Sequence, residues 1–413
     1  MAKRVVVTGV GVVAPNGLGK EAFWQALISG LSGVRSIRRF DPSPLSCRIA
    51  GEIVGFDPLD YFEACEIKRM DRGHLYAIVA SLFALEDAGL NLKEEDCERI
   101  GSAMGNAVCG IESTQNESEV IWERGPRWGS PYFAISFFPC GANGVLSIRL
   151  KIKGPVLTFC NGNTSGNDAI GASYQMIQSG RADIMFAGGT EAPLVPLLLG
   201  SMAKDGWLTT THNETPETAS RPFDRTASGM VLGEGAGMLV LEEYEHARAR
   251  GATIYAEVGG YFNSNSAFHP LAPEPNGYGL VRSMREALKR AHVTSQEVNF
   301  VNAQGLSLLD YDGMESRCVS DVLMETAPHA RLSAISSLIG NTLGASGGIQ
   351  GVVSALALQR QIIPPHRASS TVNPSLQARL AGPQPQPDPL DVVVQNSYCF
   401  MGKHSTLVFK RVR

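Results

Sequence analysis

The chain reads as an α/β protein, and three observations carry that expectation. Short runs of β-branched and apolar residues bounded by glycine recur as buried strands. Segments with helical period lie between them, an alternation that implies mainly parallel sheets. At 413 residues and 44% hydrophobic content there is enough chain to bury a large core spread over two to three domain-sized units.

The elements follow in order. Val5 to Ala14 (VVVTGVGVVA) is a buried first strand. It spells G-x-G-x-x-A from Gly9, but Pro15-Asn16-Gly17 stands where a phosphate-binding helix would have to begin, so a dinucleotide site is rejected. From His74 to Ala88, Ala77, Ile78, Ser81, Leu82 and Leu85 keep helical spacing, and Gly89 ends the helix. Ala182 to Ala187 and Met238 to Leu241 read as doubly covered strands, the second followed by a charged helix from Glu242 to Arg250. Near Tyr255 a second set begins. Leu280, Val281, Met284, Ala287, Leu288 and Ala291 form one helical face, and Val298 to Val301 is a strand. No clean sequence repeat relates the halves; a division into 1–252 and 253–413 is expected on structural grounds. The stretch from Pro383 to Pro389 is expected to be a surface loop.

Composition excludes several classes. With 36 basic and 40 acidic residues well mixed and a net charge of −4, nucleic-acid binding is not expected. No apolar run approaches the ~18 residues of a membrane span. The start faintly mimics a signal peptide, yet Gly9, Gly11, Pro15 and Asn16 break its apolar stretch. Cys47, Cys65, Cys97, Cys109, Cys140, Cys160, Cys318 and Cys399 are scattered without a C-x-x-C pair, which favours reduced thiols and a cytoplasmic location. His246 and His292 fall on helices and His269 and His366 beside prolines, so surface or capping roles are expected; His404 alone invites a test. No metal spacing occurs, and neither metal nor cofactor is expected. The 340–348 glycine run lacks a P-loop lysine, and Asn163-Thr164-Ser165 matches the glycosylation pattern by accident.

The most informative run is Gly154 to Gly166 (GPVLTFCNGNTSG), a strand, a tight turn and the start of a small-residue helix. With Val7 to Gly17, Ala187-Gly-Gly-Thr-Glu191, Arg221-Pro-Phe-Asp-Arg225 and Gly229 to Glu243, it resembles the β-ketoacyl synthases of the thiolase superfamily from end to end. The resemblance implies the thiolase fold, two similar βαβαβαββ halves in a five-layer αβαβα sandwich, in a protein that dimerises. It also implies a cysteine that carries the acyl chain, two histidines and a lysine that assist decarboxylative condensation, and an oxyanion hole. Here the cysteine position is Asn163, the two histidine positions are Gln304 and Asn341, and the lysine position is Ser336. An amide cannot form a thiolate. Cys160, at a strand end, is expected to be a small buried apolar residue and not a substitute nucleophile. The late loop with Phe400, Met401 and His404 departs from the family's Phe-Gly-Phe-Gly-Gly-Thr-Asn, which alters the gate.

Losing the nucleophile while keeping the fold resembles the chain length factors, or ketosynthase β subunits, of type II polyketide synthases. That resemblance implies a chain that is no enzyme by itself and pairs with an active ketosynthase α. Acyl carrier protein serves the pair, and the growing poly-β-ketone runs into an interface tunnel whose walls limit its length. The expected tunnel and interface residues are Val108, Cys109, Ile111, Glu112, Ser113, Asn116, Phe133, Phe137 and Phe138; Glu112 and Asn116 share a face if their segment is a helix. Lys68, Arg69, Arg72, Arg124 and Arg127 are candidates for carrier-protein docking. Two other readings stay open: a malonyl-carrier-protein decarboxylase supplying starter units, and an acyl-chain-binding scaffold. An aromatic polyketide is the preferred product class, with a polyene as the alternative.

Overall fold

A computed structural model describes residues 3–367, 373 and 376–412. Ten principal strands are β1 (Val5–Ala14), β2 (Ile100–Gly105), β3 (Val156–Phe159), β4 (Ile184–Glu191), β5 (Gly235–Glu243), β6 (Ala256–Asn265), β7 (Phe300–Asn302), β8 (Arg331–Ser333), β9 (Val392–Cys399) and β10 (Lys403–Lys410). They form one mixed sheet in the order β8-β7-β9-β10-β6-β1-β5-β4-β2-β3, with Gly17–Leu18 adding a short strand beside β1. Outward from the centre, the first half runs β1-β5-β4-β2-β3 and the second β6-β10-β9-β7-β8, the same order with each number raised by five. The halves meet where Val6 and Val7 of β1 pair antiparallel with Glu257 and Ala256 of β6.

Five layers result. Helix α1 (Arg72–Asp87) covers the outer face of the first half, and α6 (Tyr278–Ala291) the outer face of the second. Between them lie α5 (Ser165–Gln178) and α8 (Ser346–Arg360), packed on each other and on both halves. This is the expected thiolase-like α/β sandwich. The two central helices start with small residues because their backbones touch there. A Cβ on Gly347 would lie 2.2 Å from Asn167 N, and one on Gly166 only 2.6 Å from Gly348 N. The same reason explains the glycines of β1: a Cβ on Gly11 would meet Ala80 O of α1 at 2.0 Å. The whole G-x-G-x-x-A run is therefore strand, holding a helix close.

The expectation of mainly parallel sheets is corrected. The pairs β2–β3, β2–β4, β7–β8 and β7–β9 are parallel; β1–β5, β1–β6, β4–β5, β6–β10 and β9–β10 are antiparallel. The cause is plain at β9–β10. Only Phe400–Gly402 connects them, too short for the crossover that a parallel pair requires. The proline-rich 383–389 stretch is not only loop, since Gln386–Pro387 pairs with Ile362–Ile363.

Further helices are α2 (Ile111–Arg124), α3 (Phe133–Phe137) and α4 (Gly141–Leu150), which lie over the β2–β3 end, and α7 (Leu309–Val319), which follows β7. No helix among the described residues is long and apolar enough to cross a membrane.

Candidate functional site

Strand β3 ends at Phe159, and a single tight turn (Gly162–Thr164) turns the chain into α5. Gly162 takes φ 70°, a left-handed conformation that costs a glycine little. Asn163 sits in that turn at 1% exposure. Its Nδ2 donates to Tyr398 O at 3.1 Å, while Oδ1 has no partner among the described residues. Ser397 Oγ lies 3.0 Å from Asn163 O and 2.7 Å from Gln304 Oε1, one hydroxyl proton facing two acceptors. Strand β9 thus joins Asn163 to Gln304 through Ser397.

Gln304 follows β7 and is buried. Two carboxylates on α7 hold its loop. Glu315 accepts from Gln304 N and Gly305 N, both at 3.1 Å, and Asp312 accepts from Leu306 N at 2.7 Å and Phe223 N at 2.9 Å. Burial pushes both carboxyls up to about 7, against the backbone N–H groups that favour the anion. Ser336 reaches the same loop, its Oγ donating to Gly305 O at 2.6 Å. Asn341 holds its own turn and reaches one neighbouring segment. Its Oδ1 accepts from Leu343 N at 3.1 Å and Ser346 Oγ at 3.2 Å, and its Nδ2 points to Met230 Sδ at 3.2 Å. The side chains of Asn163, Gln304, Ser336 and Asn341 are all buried and tied into the scaffold.

Sequence reasoning missed Glu191, at the end of β4. Its buried carboxyl accepts from Ala107 N at 2.6 Å, Val108 N at 3.1 Å and Gly344 N at 3.1 Å, and burial pushes it up to about 7. It clamps the loop before α2 to the loop before α8. An acid closing an otherwise apolar strand was the available signal. Asp312, Glu315 and Ser397 had none, since each acts through backbone or distant side chains.

The expected tunnel residues divide. Cys109 is buried; Val108, Ile111 and Phe133 are half-buried; Asn116, Phe137 and Phe138 are exposed. Phe133 and Phe137 stack with centroids 5.4 Å apart. Glu112 and Ser113 do not face open space. Glu112 accepts from Arg72 Nε at 2.9 Å and Nη2 at 3.3 Å, and Asp71 accepts from Ser113 N at 3.0 Å and Oγ at 2.8 Å. These polar side chains pin α2 to the start of α1. Arg72 is half-buried and paired with Glu112. Lys68 and Arg124 are exposed; Arg69 lies over the Tyr132 ring at 5.2 Å and Arg127 over Trp128 at 5.7 Å.

In the altered loop, Phe400 stacks on Trp207 (centroids 4.2 Å, 15°) and meets Tyr311 edge-on (5.3 Å, 82°); Tyr311 in turn stacks on Tyr398 (5.9 Å, 6°). Met401 is exposed and takes φ 64°. Outside this wall lies a surface cavity of about 380 Å³.

Two further expectations are corrected. Cys160 is exposed, not buried, because β3 is the last strand of the sheet. Its thiol donates to Asn106 Oδ1 at 3.2 Å, and burial of part of the group pushes its pKa up, the reverse of an activated nucleophile. His366 and His404 are core residues, held down to about 4 by burial; neither ring nitrogen of His404 has a partner among the described residues. His74 is buried as well, with its Nδ1 accepting from Asp71 N at 3.4 Å in a capping box. Among the described residues no three His, Cys, Asp or Glu side chains are grouped to hold a metal ion.

Comparison with known proteins agrees with this geometry. The family model for the β-ketoacyl synthase N-terminal domain matches residues 2–247, and that for the C-terminal domain matches 255–369. The chain is 36% identical over 409 residues to 3-oxoacyl-[acyl-carrier-protein] synthase 2 of Staphylococcus aureus (strain COL), covering 99% of this chain and 98% of the relative. It is 38% identical over 422 residues to the Rhizobium meliloti (strain 1021) protein of the same name, covering 99% of each. Two solved structures, each 30% identical with full coverage of both chains, superpose closely. One, at TM-score 0.93, is a type II polyketide synthase acyl-carrier protein in complex with its ketosynthase bound to the hexaketide. The other, at TM-score 0.91, is the ishigamide ketosynthase/chain length factor. The expectation of a chain that is no enzyme is corrected by the curated relatives, which are named for a condensing activity and align over almost the entire chain. With family models matching residues 2–247 and 255–369 in order, the chain belongs to the β-ketoacyl synthase family.

Proposed function

We propose that this chain is the length-setting subunit of a two-chain type II polyketide ketosynthase. In that arrangement a ketosynthase partner carries the acyl chain as a thioester, acyl carrier protein delivers the extender units, and the product extends into a tunnel that this chain helps to wall. The observation that carries the reading is the joint replacement at Asn163, Gln304, Asn341 and Ser336. Each is buried and hydrogen-bonded into the fold, and none supplies a thiolate, an imidazole or an ammonium. A closed tunnel end stops elongation because overpacking a filled space is unfavourable, and an enclosed wall shields a reactive poly-ketone from water.

The interface is proposed at α2, α3, α4 and the outer strand β3. Helix α2 buries none of its residues, and Trp122 (92% exposed), Trp128, Ile135, Phe137, Phe138 and Ile148 leave this side unusually apolar for a free surface. Val108 is the best-placed length determinant, half-buried on a loop that Glu191 holds in position. In the paired enzyme, Val108→Phe should shorten the polyketide by at least one extender unit, read as product mass. An unchanged product length at undiminished yield would remove Val108 from the tunnel.

A further inference from the structure

Of the eight cysteines, Cys65, Cys140 and Cys160 are exposed, and the last two lie along adjoining segments. Cys140 stands immediately before α4, and Cys160 immediately after β3. Two buried asparagines hold those segments side by side. Asn143, in the first turn of α4, donates through Nδ2 to Leu157 O of β3, and its Oδ1 accepts from Ser102 Oγ at 2.6 Å. Asn106 makes the next rung: its Nδ2 donates to Pro139 O at 2.8 Å, and its Oδ1 accepts from the Cys160 thiol at 3.2 Å. Three residues back from Asn143 and three forward from Leu157 are Cys140 and Cys160. A single amide stands between the Cys160 sulfur and the peptide group that joins Pro139 to Cys140.

The two thiols differ in their surroundings. Burial, then the neighbouring Glu191 and Cys140, push the Cys160 thiol up, and Asn106 holds it in place. Cys140 is the N-cap residue of α4, yet its sulfur caps no N–H of the helix. Cys140 is therefore the thiol that an oxidant in solution meets first, and Cys160 is placed to resolve the product.

We propose that Cys140 and Cys160 are a reversible redox pair, which a small-molecule disulfide closes into a bond that staples the start of α4 to the end of β3. The Cys140 thiolate attacks the S–S bond of the oxidant, which breaks as a mixed disulfide forms and one small thiol departs. Cys160 then gives up its proton and attacks the Cys140 sulfur, releasing the second small thiol. The two cysteines lose two electrons and two protons, and the oxidant takes up both. Closing the bond withdraws the Cys160 donor from Asn106 Oδ1, a buried acceptor, and that loss keeps the disulfide easy to reduce. The pair lies on the side proposed for the subunit interface, although the bond itself does not rest on that reading.

The test uses the purified full-length chain, incubated with oxidised glutathione, blocked with N-ethylmaleimide, digested and read by peptide mass. Peptides joined through Cys140 and Cys160, two hydrogens lighter than their sum, should outweigh chain carrying a single glutathione at either position roughly tenfold, the advantage of an intramolecular partner. Cys160→Ser removes the resolving thiol, so glutathione trapped on Cys140 should rise roughly tenfold above wild type. Cys140→Ser should leave Cys160 mostly unmodified, and dithiothreitol should return the joined peptides of the wild type to free thiols. Separate glutathione adducts that Cys160→Ser leaves unchanged would overturn the pair, as would a bond from Cys140 to Cys65 or Cys109 in its place. The chain is tested alone, so a failure to pair with a ketosynthase would leave the outcome unaffected.

Discussion

Replacing Arg39 with methionine should destabilise the fold by about 3–5 kcal/mol. Arg39 forms a bidentate pair with Glu234, whose side chain is fully buried: Nη1 lies 2.9 Å from Oε2, and Nη2 bonds Oε1. The carboxylate also accepts from Ile53 N at 2.9 Å. Glu52 lies 3.8 Å from the same guanidinium, and Glu112, which is paired with Arg72, lies 4.0 Å from it. Removing it strands a charge in the interior, which costs far more than the net value of the intact pair. Methionine conserves much of the packed stem, so lost volume adds little. The check is the urea midpoint at constant slope. A loss below about 1 kcal/mol would mean that Arg72 or water takes over the role of Arg39.

The second large effect is a pH dependence at Glu315. Its folded carboxyl is pushed up from 4.5 to about 7, chiefly by burial. A group whose folded pKa is raised contributes stability that is complete below the unfolded pKa and is lost as pH rises through the folded one. The wild type therefore gives up about 3 kcal/mol at this residue between roughly pH 4.5 and 8. Glu315→Gln, which mimics the protonated carboxyl, has no such loss. Relative to wild type, the variant should gain about 3 kcal/mol of stability on going from pH 5 to pH 8. The comparison must be made at each pH because other groups titrate in the same window. Asp312 and Glu191, also raised to about 7, act in the same direction as Glu315. His366 and His404, lowered to about 4, act oppositely, since their contribution is present above 6.5 and lost as pH falls. A stability difference independent of pH would show that Glu315 stays ionised in the fold, held by the N–H groups of Gln304 and Gly305.

The strands and outer helices were legible in the sequence because burial imposes a pattern on them. Val5–Ala14 and the Tyr278–Ala291 face are examples. The repeat between halves was not, because it lies in strand order and not in residues. Strand β1 and strand β6 occupy equivalent places as VVVTGVGVVA and AEVGGYFNSN. The turns that hold Asn163, Gln304 and Asn341 could be found because glycines and small residues around them keep the motif spacing. What organises them could not: Ser397 lies 234 residues from Asn163 and 93 from Gln304, and Trp207 meets Phe400 from 193 residues away. The misreading of Cys160 has that cause. A residue's own neighbours in sequence say little about whether its strand ends a sheet, or which helix its side chain faces.

The most direct test of the proposed role is native mass spectrometry of this chain co-expressed with a cysteine-bearing type II ketosynthase. A one-to-one complex that holds through purification, and makes polyketide when supplied with malonyl-loaded carrier protein, is the predicted result. Homodimers of this chain that leave the ketosynthase unbound would contradict it.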